Sequence, residues 1–322
     1  MAPMHWSYAV AIAVVVLYLA VELKTSRPDG TIVRTHPFRR IMQYLMPTRN
    51  ESVVYFDAHV DATRLLAYVE KARAKFEGNV THATVAASGI ALSATPRMNQ
   101  FVVGRRLYHR NGRWLTFSMK RKKLDREAKI GTVKLEFIDG ETFAQWCARV
   151  NAGIGEERSG KKTSGDKELD IFNLLTRPFL RSVAWGINQL NYYNLLPGSF
   201  IKDDPMHTSL FIANLGSLDM GPGYHHLYEY GTCPLFIMFG RVELAPMVVD
   251  GEVVVRPRLP IRFSFDERID DGLNARFGIE KIREVLHDPE RWLGCLADDG
   301  SDALPMWPRA DATVAEPPGT GE

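Results

Sequence analysis

Cysteine is scarce in this 322-residue chain. There are three, Cys147, Cys233 and Cys295, with no Cys-x-x-Cys spacing. That excludes a disulfide framework and a cysteine zinc site, and it points to a reducing compartment for the folded part. An excess of either charge is missing too. Lys and Arg number 40 against 38 Asp and Glu, a net charge of +2, so a chain-wide cationic surface for nucleic acid is excluded. No internal repeat is apparent, and the single histidines His59, His82 and His207 lack metal-ligand spacing. What is present is globular: 45% hydrophobic, 24% charged and 10% aromatic residues. That composition can bury a sizeable core and does not describe a disordered chain.

Charge disappears altogether from Trp6 to Val21 (WSYAVAIAVVVLYLAV), a run of 16 residues. As a helix it measures roughly 24 Å against a hydrocarbon core of about 30 Å. Extension through Met4 or Leu23, or local bilayer thinning, would close that gap. No Lys or Arg precedes the run and no small-x-small site follows it, which speaks against a secretory signal; a buried core helix is the remaining rival. Lys24, Arg27, Arg34, Arg39 and Arg40 come next. The positive-inside rule then expects a single-pass anchor in the cell membrane with the large domain cytoplasmic. Residues 1–30 read as anchor and basic flank, and 31–297 as one domain. Residues 298–322, rich in Pro, Gly and acids, read as a disordered tail. Gly155–Glu168 reads as an exposed loop.

Within the domain, β runs alternate with helical spacing. Val53–Asp57 reads as a strand, Ala62–Phe76 as a helix and the small-residue stretch Thr81–Ala94 as a helix packed closely on a sheet. Phe101–Tyr108 and Trp114–Met119 read as strands joined by a turn at Arg110–Arg113. Thr142–Val150 starts a helix and Ile171–Leu195 supplies one or two more. Strands are expected at Thr208–Ala213, Leu235–Phe239, Val253–Val255 and Ile261–Phe265, with a closing helix over Gly272–Leu286. The mixture predicts α/β layers around a mostly antiparallel or mixed sheet. Between Arg97 and Lys129, eleven Lys or Arg, among them Arg105, Arg121, Lys122 and Lys123, face two acids. That pattern suits a phosphate-bearing ligand, anionic lipid headgroups, or a hairpin with a solvated basic face.

The most informative segment is Pro260–Gly272, where a strand enters a charged turn and then a helix. Its Asp266-Glu267-Arg268-Ile269-Asp270-Asp271-Gly272, followed by Asp288-Pro289, resembles the Asp-His-Arg-x-x-Asp-Gly motif of one family. That family is the catalytic domain of the dihydrolipoamide acyltransferases of 2-oxoacid dehydrogenase complexes, relatives of chloramphenicol acetyltransferase. Phe211-Ile212-Ala213-Asn214-Leu215-Gly216 resembles the family's Thr-Ile-Ser-Asn-Leu-Gly segment, and Leu235–Val242 the strand after it. Arg258-Leu259-Pro260 is similar to the approach to the final strand, and Arg39–Leu65 to the start of the domain.

The resemblance implies a chloramphenicol acetyltransferase-like two-layer mixed sheet with helices, here preceded by a transmembrane helix in place of lipoyl and subunit-binding domains. It implies a homotrimer with the site between subunits, coenzyme A or acyl-CoA as cofactor, and no metal. In the family the motif His takes a proton from the thiol, the Ser donates to the oxyanion, and the Asp helps hold the site. Asp266, Arg268, Asn214, Gly216, Asp271 and Gly272 match, but the base position is Glu267 and the oxyanion-donor position is Ala213. The first change removes roughly 3 kcal/mol of basicity. The second removes a donor usually worth about 2.7–4 kcal/mol. His225 or His226, in the loop after Asn214-Leu215-Gly216, is a candidate substitute base oriented by Glu267, although paired loop histidines also serve as surface or packing residues. Cys233 is either a nucleophile or a buried strand-edge thiol.

Two functions are expected from these residues. One is a membrane-anchored acyltransferase with an altered site, its basic hairpin (Arg105, Arg121, Lys122, Lys123) meeting the cofactor's phosphates. The other is a catalytically inactive relative serving as a trimeric scaffold or as a subunit of a membrane complex. Neither takes nucleic acid as a partner.

Overall fold

The computed structural model describes residues 3–121, 130–159, 174–294 and 305–307. Its first helix, α1 (Pro3–Leu23), has 21 residues and so is about 31 Å long. The added turn closes the gap left by the 16-residue run. The window Trp6–Leu23 has a mean hydropathy of 2.0 and none of it is buried, which removes the core-helix rival. The helix is long and apolar enough to cross a membrane, a property shared by signal sequences near an N-terminus.

After it come β1 (Gly30–Ile32), α2 (Pro37–Leu45), β2 (Val53–Asp61), α3 (Thr63–Phe76) and α4 (Val80–Ala94). The chain continues through β3 (Gln100–Val103), β4 (Arg106–Arg110), β5 (Trp114–Lys120), β6 (Ile130–Glu136), α5 (Phe143–Arg158), α6 (Arg177–Tyr192) and α7 (Gly198–Asp203). It closes with β7 (Leu210–Asn214), β8 (Leu235–Phe239), β9 (Glu243–Val249), β10 (Glu252–Asp266), α8 (Gly272–His287) and α9 (Pro289–Trp292).

The large sheet has the order β2-β10-β8-β7-β5-β6, with β9 paired to β10. β5, β7 and β8 are parallel neighbours, and the other pairings are antiparallel, so the sheet is mixed as expected. A second sheet runs β1-β4-β3. Alternation along each strand separates two faces. Leu210, Ile212, Leu235, Ile237, Phe263 and Phe265 join the main core with residues of α3, α4, α5 and α8. Phe211, Ala213 and Phe236 form a smaller cluster on the opposite face with Leu227 and Cys233. Helix α4 approaches this core closely because it is made of small residues. A Cβ at Gly89 would come within 2.3 Å of the Phe137 ring.

Four expectations are corrected. Phe101–Tyr108 is not one strand but the hairpin β3–β4, turned at Gly104 and Arg105, whose φ of 56° and 58° suit a two-residue turn of the primed type. Val253–Val255 and Ile261–Phe265 are one strand, β10, whose first part pairs with β9 and whose last part is held between β2 and β8. Gly155–Arg158 is the last turn of α5, begun by a capping box on Thr142 and Gln145, and not loop; residues 160–168 lie outside the described residues. In the stretch read as a disordered tail, Pro305–Trp307 is docked. Met306 is buried and its N–H donates to Glu141 O, while Trp307 lies edge-on to Trp292 at 5.6 Å. The rest of that tail lies outside the described residues.

Candidate active site

Strand β10 ends at Asp266, and the turn that follows delivers the chain to α8. Asp266 is fully buried and accepts from Ser52 Oγ (2.7 Å), from Arg268 Nε and Nη2 (2.9 Å each) and from the Arg268 N–H (3.1 Å). Arg268 also donates to the carbonyls of Met46 and Pro47, at 3.1 and 3.2 Å. Both members of this buried pair are therefore satisfied. Asp270, also without exposure, meets Arg39 and Arg97 at 2.8 Å. Asp271 is the N-cap of α8. It accepts from the Asn274 N–H (3.0 Å) and Nδ2 (3.1 Å) and from Arg39 (3.2 Å). The backbone bond from Asn274, chief among these, holds its carboxylate below the usual range.

The residue expected at the base position has no such setting. Glu267 is exposed; its N–H donates to Ser52 O (2.9 Å), while its carboxylate has no hydrogen bond or ion pair among the described residues. Ala213 is buried, with Leu227, Cys233, Phe211 and Phe236 around it. The register places Ala213 opposite Met238 and Met238 opposite Arg262. Asp266 is four residues beyond Arg262, roughly 13 Å further along the strand, and β10 is two strands or about 10 Å across from β7. One copy of the chain thus keeps Glu267 and Ala213 toward opposite ends of the sheet.

Asn214 ties β7 to α4 and to the turn after it. Its Nδ2 donates to Thr81 Oγ1 (2.8 Å) and its Oδ1 accepts from the Ser217 N–H (3.0 Å). His225 and His226 are brought together, their rings stacked at 4.6 Å, and His225 lies flat on Phe236 at 4.0 Å. Burial in this stack pushes the His225 imidazolium below its usual range. The Nδ1 atoms of His225 and His226 face the carbonyls of His226 (2.6 Å) and Leu227 (3.2 Å). Among the described residues neither ring pairs with Glu267. Both lie on the Ala213 face of the sheet, where the His225 carbonyl accepts from Ser264 Oγ, two residues before Asp266. The Cys233 thiol donates to Leu235 O (3.1 Å), and burial pushes its pKa up to about 11, which disfavours the thiolate a nucleophile needs.

The basic run does not converge. Arg105 sits over the Tyr44 ring at 4.7 Å. Arg121 pairs with Glu157 at 2.9 Å, beyond the end of β5. Arg97 serves Asp270, Arg113 meets Asp139 at 2.8 Å, and buried Arg110 meets Asp29 at 3.2 Å. Lys122 and Lys123 lie outside the described residues. The described members thus provide no shared cradle for a cofactor's phosphates within one copy. A feature not legible in the sequence is a polar cavity of about 240 Å³ beside the motif turn, reached by Arg49, Arg105, Arg268 and Glu229. Buried Arg49 donates there to the carbonyls of Glu229 (2.7 Å), Gly231 (2.9 Å) and Tyr228 (3.0 Å). Nothing in the local Thr48-Arg49-Asn50 sequence marks it, since its partners are about 180 residues away. No group of three or more His, Cys, Asp or Glu poised for a metal occurs among the described residues.

Residues 200–294 match the family described as 2-oxoacid dehydrogenases acyltransferase (catalytic domain). Over 93 residues the chain is 29% identical to the dihydrolipoyllysine-residue acetyltransferase component of the pyruvate dehydrogenase complex of Staphylococcus aureus; the stretch is 29% of this chain and 21% of that protein. Over 48 residues, 15% of this chain and 10% of the other, it is 42% identical to the mitochondrial dihydrolipoyllysine-residue succinyltransferase component of 2-oxoglutarate dehydrogenase complex 1 of Arabidopsis thaliana. The chain therefore matches about a fifth or less of the length of these relatives.

Its fold is similar to that of a probable dihydrolipoamide acetyltransferase from Listeria monocytogenes (TM-score 0.54, 12% identity, 82% of this chain and 95% of that one). It is also similar to the cubic core of the pyruvate dehydrogenase multienzyme complex (TM-score 0.52, 16% identity, 80% and 93%). In sequence over residues 200–294 and in fold over about four fifths of its length, the chain resembles the catalytic domain of the 2-oxoacid dehydrogenase acyltransferases.

Proposed function

We propose that the chain is a membrane-anchored homotrimeric scaffold, built on an acyltransferase fold and silent in the family's thiol-activated acyl transfer. One observation carries this reading. The motif's Asp266, Arg268, Asp270 and Asp271 are all engaged in holding the turn, while the base position, Glu267, is exposed and unheld. A general base needs both a pKa near the working pH and a fixed orientation. Ala213, for its part, offers no donor to an oxyanion.

Two surfaces support assembly. Helix α2 turns its polar side inward, where Arg39 reaches Asp270 and Gln43 reaches Arg268 O. Its apolar Phe38, Ile41, Tyr44 and Leu45 are left 56–68% exposed. The β9–β10 hairpin likewise leaves Leu244, Val248, Val253 and Val255 69–76% exposed. Symmetry-related copies are the ordinary means of covering such faces. Helix α1 supports the anchor, with the large domain on the cytoplasmic side, and a scaffold held there has the position to organise a membrane complex.

The match over residues 200–294 favours the second reading, acyl transfer to or from coenzyme A. That reading requires Glu267 of one subunit to face the Asn214, His225 and His226 side of its neighbour. The full-length protein in detergent, supplied with acetyl-CoA and dihydrolipoamide, decides between the two. The scaffold reading expects a trimer with no thioester turnover. Turnover abolished by Glu267→Gln would overturn it.

A further inference from the structure

Helix α6 stands apart from the rest of the domain, with only Asn191 of its 16 residues buried. Phe179, Leu180, Val183, Ile187 and Leu190 fall on one helical stripe, and Arg177, Arg181 and Asn188 on the other side. Phe179 is 64% exposed, Leu190 42% and Leu180 37%, while Val183 and Ile187 are half-buried. Trp185, 65% exposed, falls on the Arg181 side, and the helix ends in Tyr192, whose ring meets Tyr193 at 4.9 Å.

Its place in the fold identifies what covers the stripe. The last turn of α6 is joined to the segment by which the chain leaves α1. Arg27 donates to Asn191 Oδ1 (3.2 Å) and Asn194 Oδ1 (3.0 Å), and Asn194 Nδ2 donates to Lys24 O (3.0 Å). Arg106 donates to Glu22 O in the last turn of α1 itself. An exposed apolar helix fastened at the mouth of a membrane span is carried to the same lipid. We propose that α6 is an interfacial helix, its Phe179–Leu190 stripe seated in the bilayer that α1 crosses and Arg177 and Arg181 placed among anionic headgroups. The proposal rests on the anchor reading of α1. Its chemistry is that of monotopic helices, which set an apolar face holding residues such as Phe and Leu against a face bearing basic residues.

The test uses the full-length chain in vesicles of phosphatidylethanolamine and phosphatidylglycerol that contain a shallow nitroxide-labelled lipid. A fluorophore is attached in turn at the exposed sites Phe179→Cys, Leu190→Cys and Arg181→Cys, with Cys295→Ser in each. Quenching at 179 and 190 at least twofold greater than at 181 is expected. Alkaline extraction of the same vesicles reports on α1 separately. If α1 stays with the lipid while all three positions quench equally, the inference about α6 falls and the anchor stands. If α1 is extracted, both fall. Energy transfer between labelled copies at 179, without lipid quenching, would assign the stripe to a second copy and overturn the proposal.

Discussion

At the scale of single residues, Asp266 and Glu267 stand side by side and do opposite things. Glu267→Gln touches no described partner and is expected to change stability by less than about 0.5 kcal/mol, as exposed substitutions do. Asp266→Asn leaves the buried Arg268 guanidinium without its carboxylate, a loss of about 3–5 kcal/mol. Parallel urea denaturation of the two variants checks the contrast. Cys233 makes a chemical prediction. With its thiol titrating near pH 11, Cys233 is expected to resist a disulfide reagent at pH 8 in the native protein, and to react once guanidinium exposes it. The motif turn from Asp266 to Gly272 and its place before a helix were legible from the sequence alone. The resting place of His225 was not, because the ring that immobilises it, Phe236, belongs to a strand reached only after the intervening loop folds back.

Among the elements, α8 depends on its cap. Asp271→Ala removes the acceptor for the Asn274 N–H and is expected to cost about 1 kcal/mol. Because the folded carboxylate titrates below its unfolded value, the cap contributes fully above about pH 4 and fades as the pH falls through the folded value. The gap between wild type and Asp271→Ala should therefore narrow in acid, as denaturation at pH 7 and pH 3 would reveal. In α4, Gly89→Ala should gain about 1 kcal/mol from helix propensity in an open helix. Here the new methyl meets the Phe137 ring, and a net loss of about 1–3 kcal/mol is expected from the thermal midpoint. Helix α3 was readable from its helical period and α4 from its run of small apolar residues. The β3–β4 hairpin was not, because Gly104-Arg105 sits inside an otherwise unbroken run of strand formers. The single strand β10 was missed because its two halves owe their pairing to different neighbours.

For the whole molecule, the exposed apolar hairpin makes the assembly testable. Val248→Asp combined with Val253→Asp places like charges opposite each other on β9 and β10, and is expected to shift the proposed trimer toward monomers in sedimentation analysis. The mixed sheet and its order of segments were legible, because alternation and motif order survive in a linear chain. The separation of Glu267 from Ala213 was not, since it arises from strand register across three neighbours. The segment between α1 and β1 has one more consequence. Arg27 is clamped by Asp29, Asn191 and Asn194 and lies over the Phe101 and Tyr108 rings at 5.1 and 5.6 Å. Were α1 to cross a bilayer, that clamp would leave only three residues, Lys24 to Ser26, of leash between stalk and body, so that a tilt of one would be passed largely to the other.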